Sequence, residues 1–142
     1  MKAILIQCSA VLVIFVAGVW VGKTTTADAA AKGRVFEIRT YTANEGKLDA
    51  LHARFRNHTT KIFEKHGMTN VGYWKPLDEP LSKNTLIYVL AYPDREAAKK
   101  AWVAFRNDPE WVKAKDASEV NGVLTAKVDS IYMEATDYSA MK

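Results

Sequence analysis

Eight consecutive residues, Thr85 to Tyr92, read Thr-Leu-Ile-Tyr-Val-Leu-Ala-Tyr and are apolar on both of the faces that a strand would present. Successive side chains of a strand point to opposite sides of the sheet, so a run of this kind is stable only as a central strand covered on both sides. The rest of the chain must therefore supply neighbouring strands, helices for one face, and cover for the other.

The neighbours are legible. Val35 to Tyr41 alternates strictly, with Phe36, Ile38 and Thr40 pointing one way and Val35, Glu37, Arg39 and Tyr41 the other. Thr42-Ala43-Asn44-Glu45 fits a capping box. Leu48, Leu51, Phe55, Ile62 and Phe63 then recur at helical spacing, which predicts an amphipathic helix over roughly 45–66 that stops at Gly67. Val71–Lys75 reads as a second strand ended by Pro76, and the polar loop 76–84 holds two prolines. After the central strand, Pro93-Asp94 opens a helix with Ala97, Ala98, Ala101, Trp102 and Phe105 on its inner side. Asp108-Pro109 starts another, with Asp108 as cap and Pro109 at the first helical position. Ala126–Glu134 is the last strand.

The order is β-α-β-β-α-β, an α+β, ferredoxin-like arrangement with a four-stranded antiparallel sheet. Right-handed crossovers place both helices on one face of the sheet. The other face is expected to carry Val35, Tyr41 and one full side of the central strand, an apolar surface that a monomer seldom leaves in water. Pairing of two sheets face to face in a homodimer is the simplest cover, and it encloses a barrel-like interior.

The first 29 residues are of a different kind. Lys2 precedes an uncharged run from Ala3 to Gly22, and Ala27-Asp28-Ala29 follows as an A-x-A pattern. Residues 1–29 are expected to be a signal peptide or an N-terminal membrane anchor, since residues 3–22 are about long enough to span a bilayer. Residues 30–34 form a linker, 35–134 the domain and 135–142 a C-terminal tail. Either reading of the leader predicts export, to the periplasm or beyond. The one cysteine, Cys8, lies in the leader, so the remaining domain has no thiol or disulfide chemistry. Taking Lys2, Lys23 and Asp28 from the 20 basic and 16 acidic side chains leaves 18 against 15. That mild, interspersed balance argues against nucleic acid as a partner.

Glu37 and Arg39, two apart on one strand, share a face. With the helices assigned to the other side, they are expected to project into the dimer interior, where they would orient the polar end of a ligand or hold each other as an ion pair. Tyr41 extends the same face. Either Tyr73 or Trp74, and either Tyr88 or Val89, would line the rest of the cavity. His52, His58 and His66 point in three directions on the first helix and cannot share a metal. His66, beside Gly67, suits the helix C-terminus, where its charge would complement the dipole. The candidate pocket is thus Glu37, Arg39, Tyr41, Trp74, Tyr88 and His66, with no metal and no cofactor expected. A phosphate-binding glycine loop, a G-x-S-x-G elbow and a Cys/His pair are all absent from the sequence.

Several segments together resemble the NIPSNAP family: Glu37-Ile38-Arg39-Thr40-Tyr41, Gly46-Lys47, His66-Gly67, Gly72-Tyr73-Trp74, Tyr88 to Tyr92, Arg95-Glu96 and Asp108-Pro109-Glu110-Trp111. The resemblance spans about residues 35–134. It implies a dimeric α/β barrel and no settled activity. Three functional expectations follow: a dimeric module binding a small, largely apolar or aromatic ligand between its sheets; a cofactor-independent monooxygenase or isomerase with Glu37 or His66 as base; or an envelope interaction protein using the loop 76–84.

Overall fold

The computed structural model describes residues 33–142. The expected signal peptide or anchor lies outside the described residues, as do residues 30–32 of the linker. Among the described residues no helix is long and apolar enough to cross a membrane.

Four strands form one antiparallel sheet: β1 (Val35–Ala43), β2 (Thr69–Trp74), β3 (Thr85–Tyr92) and β4 (Thr125–Glu134), in the order β2-β3-β1-β4. The run that is apolar on both faces is β3, and it is central, as its composition requires. It pairs with β1 from Val35↔Tyr92 to Thr42↔Thr85 and with β2 through Tyr73↔Tyr88. Among the described strands β4 is an edge, paired with β1.

The first helix, α1, comprises Leu48–Arg54 and Thr60–Lys65, joined by a π-helical stretch at Phe55–Thr59. The widened turn displaces the regular ladder there, and the Thr59 hydroxyl donates to the Arg54 carbonyl at 3.3 Å. Gly67, at φ +75°, ends the segment in a left-handed conformation that a side chain would resist. α2 (Arg95–Arg106) is capped by Asp94, whose carboxylate accepts from the Ala97 N–H. α3 (Pro109–Ser118) is capped by Asp108, which accepts from the Glu110 N–H at 2.7 Å, with Pro109 in the first turn. The capping box expected at Thr42–Glu45 does not form. β1 continues to Ala43, a turn through Gly46 intervenes, and Lys47 begins the helix with no side-chain cap.

All three helices cover one face of the sheet, and the core lies beneath them. Leu51, Phe63, Leu86, Tyr88 and Leu90 are fully or almost fully buried there. Phe63 packs edge-on to Trp102, with centroids 5.4 Å apart, and lies 4.7 Å from Phe105. Tyr73 stacks on Tyr88 at 5.4 Å. These contacts weld α1 and α2 to β2 and β3; each aromatic pair contributes about 1 kcal/mol beyond burial.

The register corrects one expectation. Glu37, Arg39 and Tyr41 stand opposite Leu90, Tyr88 and Leu86, and all belong to the helix-covered side. The other face, helix-free among the described residues, carries the alternate set: Ile38, Ile87, Val89, Ile131 and Met133, with Trp74. The physical reason is the parity of the pleat. A strand with apolar residues in both phases does not reveal which phase the helices will take, and here they took the phase that contains the charges. The apolar second face itself is present, with Trp74 53% and Ile131 63% exposed. Gly72 has a use on this face: the Trp74 indole lies over it, and a Cβ on Gly72 would stand 2.6 Å from the ring.

Candidate functional site

Glu37 has no exposed surface, yet it lies at the head of a cleft. Its carboxylate receives four hydrogen bonds, two on each oxygen. Arg39 Nη1 donates to Oε1 at 2.7 Å and the Ser130 hydroxyl at 2.6 Å. The Tyr92 hydroxyl and the Trp102 indole N–H each donate to Oε2 at 2.7 Å. Every acceptor direction of the carboxylate is therefore used, which is what a buried charge requires.

These donors come from four elements. Arg39 shares β1 with Glu37, Tyr92 ends β3, Trp102 sits on the inner face of α2, and Ser130 lies on β4, 93 residues away. Burial by itself raises the carboxyl's affinity for a proton. The bonds from Ser130, Tyr92, Trp102 and Arg39 outweigh it and hold the Glu37 carboxyl below its ordinary range. Burial, reinforced by the bond to Glu37, pushes the Tyr92 phenol far above its ordinary value. For Arg39, desolvation is outweighed by Tyr88, Tyr41 and Glu37, and the guanidinium is held more firmly protonated than usual.

The cleft has a volume of about 480 Å³ and runs between α2 and β4, where none of the described helices covers the edge strand. Ser130 and Tyr132 form one wall. Arg95, Lys99, Trp102 and Arg106 form the other, one stripe of α2 at steps of four, three and four residues. Two aromatic faces in the cleft are already stacked against cations: the Arg39 guanidinium lies 4.2 Å from the Trp102 ring centroid and Arg95 lies 3.3 Å from that of Tyr132. Glu96 adds a second carboxylate at the mouth.

The structure brings together only two of the six residues expected to form the pocket. Glu37 and Arg39 line the cleft. Tyr41 and Tyr88 belong instead to the aromatic core, 5.4 Å apart, with Phe55 against both. Trp74 is on the opposite face of the sheet, beside an apolar groove of about 350 Å³ where Met141 of the C-terminal tail lies near Phe36 and Val89. His66 is the C-cap of α1, and its Nε2 donates to Asp108 Oδ2 at 2.6 Å. Lys65 reaches the same oxygen at 3.0 Å, and these two bonds hold the Asp108 carboxyl far below its ordinary value. That cluster joins the end of α1 to the start of α3.

Tyr92, Ser130, Tyr132 and the basic stripe of α2 were missed from the sequence. One signal for them was present. Arg95, Lys99 and Arg106 repeat at the spacing that places them on the flank of Trp102, so the inner edge of α2 is cationic rather than polar at random. Among the described residues there is no group of three or more His, Cys, Asp or Glu side chains placed to hold a metal ion.

The family model for NIPSNAP matches residues 36–140. No curated protein matches the chain. Among solved structures, it is similar to a NIPSNAP family protein with unknown function from Agrobacterium tumefaciens (Atu4242), at 19% identity and TM-score 0.67, covering 78% of this chain and 95% of that one. A second Agrobacterium tumefaciens NIPSNAP family protein (Atu5224) is similar at 19% identity and TM-score 0.67, over 77% and 99% of the two chains. An uncharacterized NIPSNAP-like domain protein from Burkholderia xenovorans is similar at 17% identity and TM-score 0.64, over 75% and 89%. At these identities the likeness is one of fold.

Proposed function

The chain belongs to the NIPSNAP family, and from that premise we propose that it is a small-molecule-binding homodimer, exported by its N-terminal leader, whose ligand sits in the Glu37–Arg39 cleft of each subunit. The observation that carries this reading is the cleft itself. It has about 480 Å³ of space, inside the range of small-molecule sites, and polar groups converge on it from α2, β1 and β4. The site is held rigid from below, because Glu37 ties those elements and β3 together.

A binding role fits the chemistry better than proton abstraction by Glu37. A carboxylate that already accepts four hydrogen bonds and is held below its ordinary pKa is a weak base. His66, the other base expected from sequence, is engaged with Asp108 rather than with the cleft.

The dimer is proposed from the helix-free face. Four strands about 4.8 Å apart and eight residues long at about 3.3 Å each present a face of roughly 500 Å², apolar except at the end that carries Thr40, Lys127 and Asp129. That is at the upper end of what a monomer leaves in water and approaches the roughly 800 Å² per partner of a stable interface. A second copy offers the same apolar surface in return, which is the self-complementarity of a two-fold contact.

Thermal-shift and calorimetric screening of small organic ligands, with Arg39→Ala as control, tests the binding reading. A ligand that stabilises the parent chain and not the Arg39→Ala chain supports it. Binding that is indifferent to Arg39→Ala, and to substitution elsewhere in the cleft, overturns it.

A further inference from the structure

The charges lining the cleft do not balance, and the imbalance names the ligand. Arg39 and Glu37 satisfy each other at 2.7 Å. Of the remaining lining side chains, Arg95, Lys99 and Arg106 are cationic and Glu96 alone is anionic. Two positive charges are left over. They sit on long, exposed side chains at the mouth, above a floor of buried Trp102 and Glu37.

The shape of the lining adds a second constraint. Both aromatic walls have a guanidinium laid against them, Arg39 on Trp102 and Arg95 on Tyr132. A guanidinium fixed in this way is flat and weakly hydrated, and its free face stacks well on another unsaturated plane. A carboxylate matches the geometry of its donor edge, whose two parallel N–H groups donate to the two carboxylate oxygens. A simple inorganic anion would use the charge and leave the flat surfaces uncovered.

We infer that the cleft, if it is the binding site proposed above, takes a small organic carboxylate with a flat unsaturated body, held by Arg95 and Lys99 at its acid end and lying against the guanidinium planes that cover the Trp102 and Tyr132 walls. This inference departs from the sequence expectation of a largely apolar ligand. The sheet face that was expected to line an inter-sheet cavity carries neither Glu37 nor Arg39. The site that does contain them is cationic.

The test uses the ¹⁵N-labelled full-length chain and three probes: 2-naphthoate, naphthalene-2-carboxamide and inorganic phosphate. Binding is followed by calorimetry and by the Trp102 indole N–H resonance, which reports on the bond to Glu37. The inference expects 2-naphthoate to bind saturably with a shift of that resonance. The neutral carboxamide and phosphate should each bind at least tenfold more weakly. Arg95→Gln with Lys99→Gln should weaken 2-naphthoate at least tenfold and the carboxamide, which loses only the stacking plane of Arg95, by less, and added salt should weaken 2-naphthoate alone among the two organic probes. These two side chains are exposed, so the double variant is expected to fold. Equal binding of the carboxamide overturns the carboxylate assignment and leaves the cleft as a site. Phosphate as tight as 2-naphthoate overturns the flat body. If no probe moves the Trp102 resonance, both the inference and the cleft reading beneath it fail.

Discussion

The indole N–H of Trp102 and the carboxylate of Glu37 meet at 2.7 Å, joining α2 to β1 across the width of the core. Trp102 also covers Arg39, so the same side chain donates to the acid and stacks on the base of one ion pair. Glu37 is thereby enclosed by the protein, while Arg39 keeps 17% of its side-chain surface open at the cleft. A buried pair of this kind adds little net stability over an apolar replacement, but breaking one side leaves an uncompensated charge.

Replacing Glu37 by Gln keeps the shape and removes the charge. Gln offers one oxygen and an NH₂ group to four incoming donors, so two of them face another donor and Arg39 loses its counter-charge. The expected loss is roughly 3 kcal/mol in urea unfolding. A loss under about 1 kcal/mol would show that the network is structurally dispensable.

Stability should fall on acidification for a stated reason. Glu37 and Asp108 both have folded-state values below their ordinary ones of 4.5 and 3.8. Between the folded and unfolded values the unfolded chain binds more protons, so stability rises with pH through that interval. The contribution is fully present above about pH 5 and is lost as pH falls below the ordinary carboxylate values toward the folded ones. The difference in unfolding free energy between the parent chain and Glu37→Gln should therefore shrink as pH drops from 5 toward 3. A constant difference over that range would contradict the assignment.

Ile131 is 63% exposed on β4 of the helix-free face, so Ile131→Glu should not disturb the fold of one subunit. In the proposed dimer it would place two like charges in an apolar contact. Sedimentation velocity should show a dimer for the parent chain and a monomer for Ile131→Glu, with unchanged far-ultraviolet dichroism. A parent chain that sediments as a monomer at high concentration removes the dimer.

Gly72→Ala tests the same face from the other edge. Its new Cβ would stand 2.6 Å from the Trp74 indole and must push that ring off the sheet. The expected outcome is weaker self-association and a red-shifted, more quenchable tryptophan fluorescence. Unchanged association would separate Trp74 from the interface.

Two caps that look alike in sequence should differ in consequence. Asp94→Ala removes one exposed N-cap bond, to Ala97, at a cost of about 1 kcal/mol. Asp108→Ala removes the α3 cap together with the contacts to His66 and Lys65, and should cost more. Equal midpoints in thermal unfolding would mean that the His66–Asp108 link carries no weight.

The sequence by itself determined the elements and their order. The apolar run Thr85–Tyr92 had to be central, the Asp-Pro pair at Asp108 had to begin a helix, and the family motifs named the fold, because propensity, period and capping are local properties of the chain. It also showed that the sheet would have an apolar second face. The tertiary structure alone decided which phase of β1 met the helices. Alternation says which residues travel together and is silent on the side they take. Glu37 could be buried only because Tyr92, Trp102 and Ser130, distant in the chain, arrive as donors at one carboxylate. Such a constellation has no sequence spacing to betray it, and so Tyr41, Trp74, Tyr88 and His66 were grouped with Glu37 and Arg39, while the residues that share their cleft emerged only when β4 was laid beside α2.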